Sequence, residues 1–376
     1  MTCFLTSNSL TPDWDELNTA NGFVEELGAK LPRPCRALFV SSDPNGWEKT
    51  DRYAEVTRAS FEKSGFRFDS FITLDGRNRD AAEKLVTDAD LIILAGGHVP
   101  TQNRFFAEIG LKSLLEYFPG VIIGISAGSM NSAETVYAQP ELEGEATDPE
   151  YRRFLPGLGL TKTMLLPHYH EVKDTVLDGL RVFEDITYPD SAGREFYAIP
   201  NGSYLLVEPG KEELRGEAYI IRNGVISQLT KDGETLSLLE LRREKSCGAV
   251  VYRVEKGERF YLIERMAHGH VSIPKGHVEG NETESETAIR EIKEETNLDV
   301  ELDTGFRRVI SFSPRRGCVK DVVFFAARAV SDDMKNQESE VSGLEWLPYE
   351  DACRALTYDS DRETLRKVRE YLEKRK

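Results

Sequence analysis

The 376-residue chain is poor in cysteine, histidine and tryptophan, with five, six and three of each. The cysteines (Cys3, Cys35, Cys247, Cys318 and Cys353) are scattered and form no CxxC pair. That argues against a disulfide frame or a thiolate zinc site and fits free thiols in a reducing cytosol. No apolar run approaches the ~20 residues needed to span a bilayer. The opening MTCFLTSNSLTPDWDE has no basic segment followed by an apolar one, so no secretory signal is expected and a cytoplasmic protein is. Basic side chains are also in deficit: 48 Lys and Arg stand against 65 Asp and Glu, a net charge of −17. Such a chain does not adhere electrostatically to nucleic acid or to an anionic membrane. Any anionic substrate must be drawn in by a local site or a metal ion.

What is present fits two domains, because the length exceeds what one core usually serves. Residues 36–42, 66–74, 90–97 and 120–126 are apolar, β-branched runs separated by helical patterns at 50–65, 81–89, 103–118 and 127–138. This alternation predicts an α/β unit: a mostly parallel sheet with helices on both faces. After residue 195 the pattern changes to hairpins, "FYAIPNGSYLLV" and then "EAYIIRNGVISQL" with Asn223-Gly224 at the turn, as for an antiparallel edge. The charged "ELRREK" (240–245) precedes a second set of strands, a Glu-rich helix and a final charged helix, the makings of an α+β unit. The expected domains are 1–243 and 244–376.

The Glu-rich helix sits in "SIPKGHVEGNETESETAIREIKEETNL" (272–298). Glu291, Glu294 and Glu295 fall at i, i+3 and i+4, on one helix face, where like charges repel by a few tenths of a kcal/mol per pair. Either the face is solvated or a cation sits on it. The spacing decides between these: Gly276, five residues, Glu282, seven residues, then Arg290-Glu291-Ile292-Lys293-Glu294-Glu295-Thr296-Asn297-Leu298. This resembles the Nudix box of hydrolases acting on nucleoside diphosphates linked to another group. The family has Gly where this chain has Asn297, and Asn is the next best residue for a left-handed helix end. The resemblance implies Mg²⁺ (or Mn²⁺) held by Glu291, Glu294, Glu295 and the Gly276 carbonyl. One of the glutamates can instead be a general base acting through a water, and Arg290 would orient the carboxylates. "HGHVSIPKGHVEGNE", "GFRRVISFS" and "SEVSGLEWLPYEDACRAL" are similar to the diadenosine tetraphosphate hydrolase branch, over essentially all of 244–376. In that branch Glu340 would be a further metal ligand rather than an ordinary loop carboxylate. Lys275 would meet a substrate phosphate rather than solvent.

"IIGISAGSMN" (122–131) places Ser126 in Gly124-x-Ser-x-Gly128, between an apolar strand and a helix. A sharp turn there lifts the hydroxyl out of the sheet at a helix N-terminus. A serine needs a base, and this domain offers only His98, His168 and His170. "CFLTSNSLTP", "LAGGHVPTQN", "GISAGSMN", "LLPHYH" and "AIPNGSYL" resemble, in order, the landmarks of the dipeptidase E and cyanophycinase family, whose fold is like the class I glutamine amidotransferases. The resemblance spans 1–235. It implies Ser126 as nucleophile, His168 as base, and the Gly97 and Ala127 N–H groups as oxyanion hole. The family usually carries an acid where this chain has Asn201, which can hold an imidazole but cannot stabilise an imidazolium by charge. Glu141, fifteen residues after the serine, matches another acidic position proposed for that role.

The expected protein joins a Mg²⁺-dependent Nudix pyrophosphohydrolase, acting on a small nucleotide, to a serine hydrolase domain acting on a short peptide. The alternative makes the N-terminal domain a non-catalytic binding or scaffold module, as Asn201 would favour. Nothing in the sequence sets an oligomeric state.

Overall fold

Strands Thr2–Thr6 and Val121–Ile125 lie side by side in parallel, Phe4 opposite Ile123, so the start of the chain buttresses the strand that carries the candidate serine. In the computed structural model, which describes residues 1–337 and 339–375, the chain forms two compact units. One is built from Met1–Leu241 with Arg315–Gly317 and the other from Arg242–Pro314 with Cys318 onward.

The first unit centres on an eight-stranded sheet. From one edge the strands are Thr235–Ser237, Lys211–Arg215, Tyr204–Glu208, Thr2–Thr6, Val121–Ile125, Leu91–Leu94, Cys35–Val40 and Phe68–Leu74. The five from Thr2–Thr6 onward are mutually parallel and the first three antiparallel. On one face Phe4, Phe39, Ile93 and Ile123 pack against Phe23, Leu27, Ala54 and Phe61 of the helices Phe23–Lys30 and Trp47–Lys63. The alternate residues Leu5, Leu38, Ile92 and Ile122 are buried too, as parallel strands covered on both sides require.

Three local expectations change. The helix expected at 103–118 is broken at Gly110, whose φ of 63° is left-handed, into Val99–Glu108 and Leu111–Leu115. The helix at 127–138 stops at Asn131, and Thr135–Tyr137, β-branched and aromatic, form a strand with Phe154–Pro156. "FYAIPNGSYLLV" is not a hairpin: Glu195–Ala198 joins a four-stranded sheet with Met164–Leu166, Ala218–Arg222 and Val225–Thr230, while Tyr204–Glu208 pairs with Thr2–Thr6. The connection Pro200-Asn201-Gly202 therefore crosses between sheets, which puts Asn201 beside the end of Met164–Leu166. The Asn223-Gly224 hairpin is as expected, with φ of 49° and 80° at the turn.

The second unit is a mixed seven-stranded sheet in which Arg242–Glu255 is central, parallel to Cys318–Ala329 and antiparallel to Glu258–Met266 and Lys275–His277. The helix Glu284–Thr296 lays Ala288 and Ile292 on Cys247, Ala249, Val323 and Phe325. Among the described residues no helix is long and apolar enough to cross a membrane.

Candidate functional sites

The carboxylate helix starts where its sequence says it should. Thr283 Oγ1 accepts the Glu286 N–H and the Glu286 carboxylate accepts the Thr283 N–H, a complete capping box. It ends at Asn297 in the left-handed conformation (φ 61°), whose side-chain amide also donates to the Asp333 carbonyl at 2.9 Å, a tie that glycine would lack. The three glutamates differ in depth. Glu294 is half exposed, Glu291 is mostly covered, and Glu295 is 2 % exposed. Glu295 lies seven residues after Ala288 and three after Ile292, so it shares the core-facing flank rather than an open face.

Arg290 ties this region together. Its guanidinium donates to both Glu282 oxygens (2.7 and 2.9 Å), to Glu291 (2.8 Å), to Glu294 (3.0 Å) and to the His277 carbonyl (2.8 Å). The Arg290 hydrogen bond holds the Glu282 carboxyl down at about 2, whereas burial pushes Glu291 up despite Arg290. Glu291 also fills the space over the Gly276 Cα, on the strand Lys275–His277. Glu340 is exposed and its charge further raises the Glu291 pKa, which places the two carboxylates in one field.

The interior half of the site contains a residue that sequence reasoning missed. Glu264, on Glu258–Met266, is 0 % exposed, and its carboxyl meets no donor other than the carboxyl of Glu295. It faces Glu295, which accepts the Lys275 backbone N–H at 2.9 Å. Burial, compounded by the charge of Glu295's neighbours, raises the pKa of both. A glutamate inside the apolar run "FYLIERM" was the available signal. The Lys275 ammonium is turned into this cluster: it donates to Ser272 Oγ at 2.8 Å, and its charge favours the anions of Glu264, Glu295 and Asp361. It is thus not an uncommitted cation waiting for phosphate. Among the described residues no three His, Cys, Asp or Glu side chains converge closely enough to hold a metal ion as they stand: Arg290 draws on Glu291 and Glu294 while Glu295 turns inward. An open set of hard oxygens, with the buried Glu264–Glu295 carboxyl pair beneath it, suits a Mg²⁺ ion that keeps several waters.

In the first unit Ser126 has φ 50° and ψ −111°, a strained backbone costing about 1–3 kcal/mol. Its neighbours explain why the turn survives. The Thr6 carbonyl accepts both the Ser126 N–H (3.1 Å) and Ser129 Oγ (2.7 Å). A Cβ on Gly128 would stand 2.2 Å from the Leu94 carbonyl oxygen, and one on Gly124 2.8 Å from the Ser129 backbone. Both glycines of the motif are sterically required. Ser126, Gly97 and His168 line one cavity of about 490 Å³. Neither the Gly97 nor the Ala127 N–H is taken by a hydrogen bond among the described residues.

The three histidines are now distinguishable. His98 also lines the cavity, but Thr101 and Glu145 occupy its two ring nitrogens at 2.8 Å each. His170 bonds to Glu217 at 3.0 Å. Only His168 faces the cavity with a ring nitrogen free, since its Nδ1 meets Asn201 Oδ1 at 2.9 Å. Burial lowers its pKa, so the imidazole is neutral and basic at ordinary pH. Glu141 makes no hydrogen bond to His168. Its backbone N–H and that of Leu142 donate to Glu145, and its side chain is exposed. Glu141 belongs with Glu145, whose carboxylate meets His98 Nε2, and not with the Asn201 side of the His168 imidazole.

A strand–serine–helix elbow in one unit and an arginine-braced carboxylate helix in the other define a hydrolase of two domains. The profile of peptidase family S51 matches residues 3–214, more than half of the chain, and that of the NUDIX domain matches 242–368. The chain belongs to peptidase family S51 and carries a C-terminal NUDIX domain. That domain resembles the asymmetrical bis(5'-nucleosyl)-tetraphosphatase of Rattus norvegicus, 28 % identical over 140 residues (34 % of this chain, 95 % of the relative). The Caenorhabditis elegans enzyme of the same name is 31 % identical over 132 residues (34 % and 96 %). A crystal structure of a C. elegans Ap4A hydrolase binary complex covers 35 % of this chain and 98 % of its own, at 29 % identity and TM-score 0.33. A peptidase from an acI-B1 Actinobacterium covers 63 % and 96 %, at 16 % identity and TM-score 0.47.

Proposed function

We propose that the C-terminal domain is a Mg²⁺-dependent pyrophosphohydrolase (Mn²⁺ substituting) that cleaves a dinucleoside polyphosphate asymmetrically. The observation that carries this is the Gly276–Glu291–Arg290 arrangement: a carboxylate seated on a glycine Cα and held from behind by a guanidinium. The activity for which the tetraphosphatase relatives are named supports the substrate class, since the domain matches those relatives over nearly their full length. Glu291, Glu294, Glu295, the Gly276 carbonyl and Glu340 would hold the cation. A bound divalent ion would neutralise phosphate charge, polarise phosphorus and acidify a water. The protein's own part is to keep those oxygens in place: Arg290 fixes Glu291 and Glu294, and the Lys275 backbone fixes Glu295. Whichever of these glutamates is not coordinating can take a proton from the attacking water.

The N-terminal domain, on this reading, is a serine hydrolase for short peptides. Ser126 attacks, His168 accepts its proton, and the Gly97 and Ala127 N–H groups meet the developing oxyanion. The free Nε2 of His168 and the size of the cavity support it, and all five cysteines being free supports the cytoplasmic assignment. We place the functional boundary between residues 243 and 244. A scaffold role for residues 1–243 is favoured only by the neutral Asn201.

One experiment separates these readings. Diadenosine tetraphosphate should give ATP and AMP, and EDTA should stop that reaction while leaving fluorophosphonate labelling of Ser126 intact. Two ADP as products, or brisk ADP-ribose hydrolysis with no tetraphosphate turnover, rejects the substrate class. Absence of labelling in folded protein decides for the scaffold.

A further inference from the structure

We propose that Glu171 is the positioning acid of the serine site, acting on His168 through the amide of Asn201. The inference rests on the serine hydrolase reading above. Asn201 stands between the two groups: its Nδ2 donates to Glu171 Oε1 at 2.8 Å, and its Oδ1 meets His168 Nδ1 at 2.9 Å. Ser7 closes the network. Its Oγ accepts the His168 backbone N–H at 2.7 Å and donates its own proton to Asn201 Oδ1 at 2.8 Å.

These contacts fix which way the amide points. Turned over, Asn201 would set its oxygen against the Glu171 carboxylate, which can only accept, and that bond would be lost. In the observed orientation Oδ1 can only accept. His168 must therefore carry its proton on Nδ1, which leaves Nε2 bare toward the cavity. That is the tautomer a serine's base requires. When the Ser126 proton moves to Nε2 as Oγ attacks a carbonyl carbon, Nδ1–H stays where it was and no proton passes to Glu171. The positive charge then on the ring faces an amide oxygen whose dipole is aligned by the carboxylate behind it. The negative charge missing at Asn201 is supplied one hydrogen bond further out. Glu171 sits only three residues after His168, on the one-turn helix Tyr169–Val172, so one short segment positions both the histidine and its remote acid.

The test uses the full-length protein and the rate of fluorophosphonate adduct formation at Ser126, with thermal melts confirming folding. Glu171→Gln keeps the shape and removes the charge, and should slow labelling at least about tenfold. Asn201→Asp alone should also slow it, because it sets two carboxylates face to face. Combining Glu171→Gln with Asn201→Asp should restore labelling to wild-type speed or better, since the Gln amide can donate to the new carboxylate. That rescue would not follow from a merely structural role. A wild-type rate in Glu171→Gln, or Asn201→Asp labelling as fast as or faster than wild type, overturns the inference while leaving Ser126 a nucleophile. A wild-type protein that does not label overturns the serine reading, and this inference with it.

Discussion

The Glu291 carboxyl carbon lies 2.0 Å from where a Cβ on Gly276 would be, and its two oxygens 2.0 and 2.2 Å away. No side chain fits at 276 unless Glu291 leaves. Gly276→Ala should therefore act as a Glu291 displacement. We expect kcat/KM for nucleotide hydrolysis to fall ~10²-fold or more, with only a small drop in Tm, because the strand Lys275–His277 tolerates alanine in its backbone conformation. Steady-state kinetics beside a melting curve checks this. Near-normal turnover would show that Glu291 is not needed in its observed position.

Glu264 calls for a different experiment, since its carboxyl is buried against that of Glu295. Two carboxyls buried against each other, with one lysine shared between them and Asp361, carry more negative charge than Lys275 offsets, which destabilises the fold unless a further cation meets them. Glu264→Gln should raise the Tm measured in EDTA and shrink the further rise caused by added Mg²⁺. Differential scanning fluorimetry with and without Mg²⁺ measures both. An unchanged Mg²⁺ increment would mean that Glu264 does not feel the metal.

What the sequence revealed and what it hid have physical causes. The capping box at Thr283, the left-handed end at Asn297, the Asn223-Gly224 turn and the Ser126 elbow depend on residues a few positions apart, so local spacing exposes them. The parallel strands were legible because burial on both faces demands unbroken apolar runs. By contrast, Glu171 and Ser7 lie 30 and 194 positions from Asn201, and only the chain's passage between two sheets at Pro200-Asn201-Gly202 brings the three together. Glu264 was hidden because an apolar strand with one glutamate usually turns that residue to solvent. The depth difference among Glu291, Glu294 and Glu295 depends on which flank of the helix meets the sheet, and heptad-like spacing alone leaves that open.

Lys49 is the one lysine or arginine among the described residues lining the serine cavity, and it is in no ion pair there. It lies over the Tyr53 ring, 5.6 Å from the centroid, and Trp14 packs on the same ring at 5.5 Å. In a chain of net charge −17 a cation held in a cavity by an aromatic face rather than a carboxylate is a natural receiver for a substrate carboxylate. Lys49→Met should raise KM roughly tenfold for a dipeptide with an aspartyl side chain, and much less for its asparaginyl counterpart. Equal effects on the two would remove Lys49 from charge recognition.

The pH dependence of the serine site follows from His168. Burial is the largest influence and lowers its pKa below 6.5, while the Asn201 hydrogen bond and the Glu171 charge push the other way without prevailing. The base form is therefore populated at lower pH than for a free imidazole. Labelling of Ser126 should rise with pH to a plateau whose midpoint lies below 6.5. Removing the Glu171 charge takes away a group that favours the imidazolium, so Glu171→Gln should move that midpoint lower still. Stability has a matching sign. Between the lowered value and 6.5 the unfolded chain binds a proton that the folded one does not, so acidification through this window destabilises the domain. A rate–pH profile for wild type and Glu171→Gln checks the assignment, and a wild-type midpoint at or above 6.5 would show that His168 is not the base being titrated.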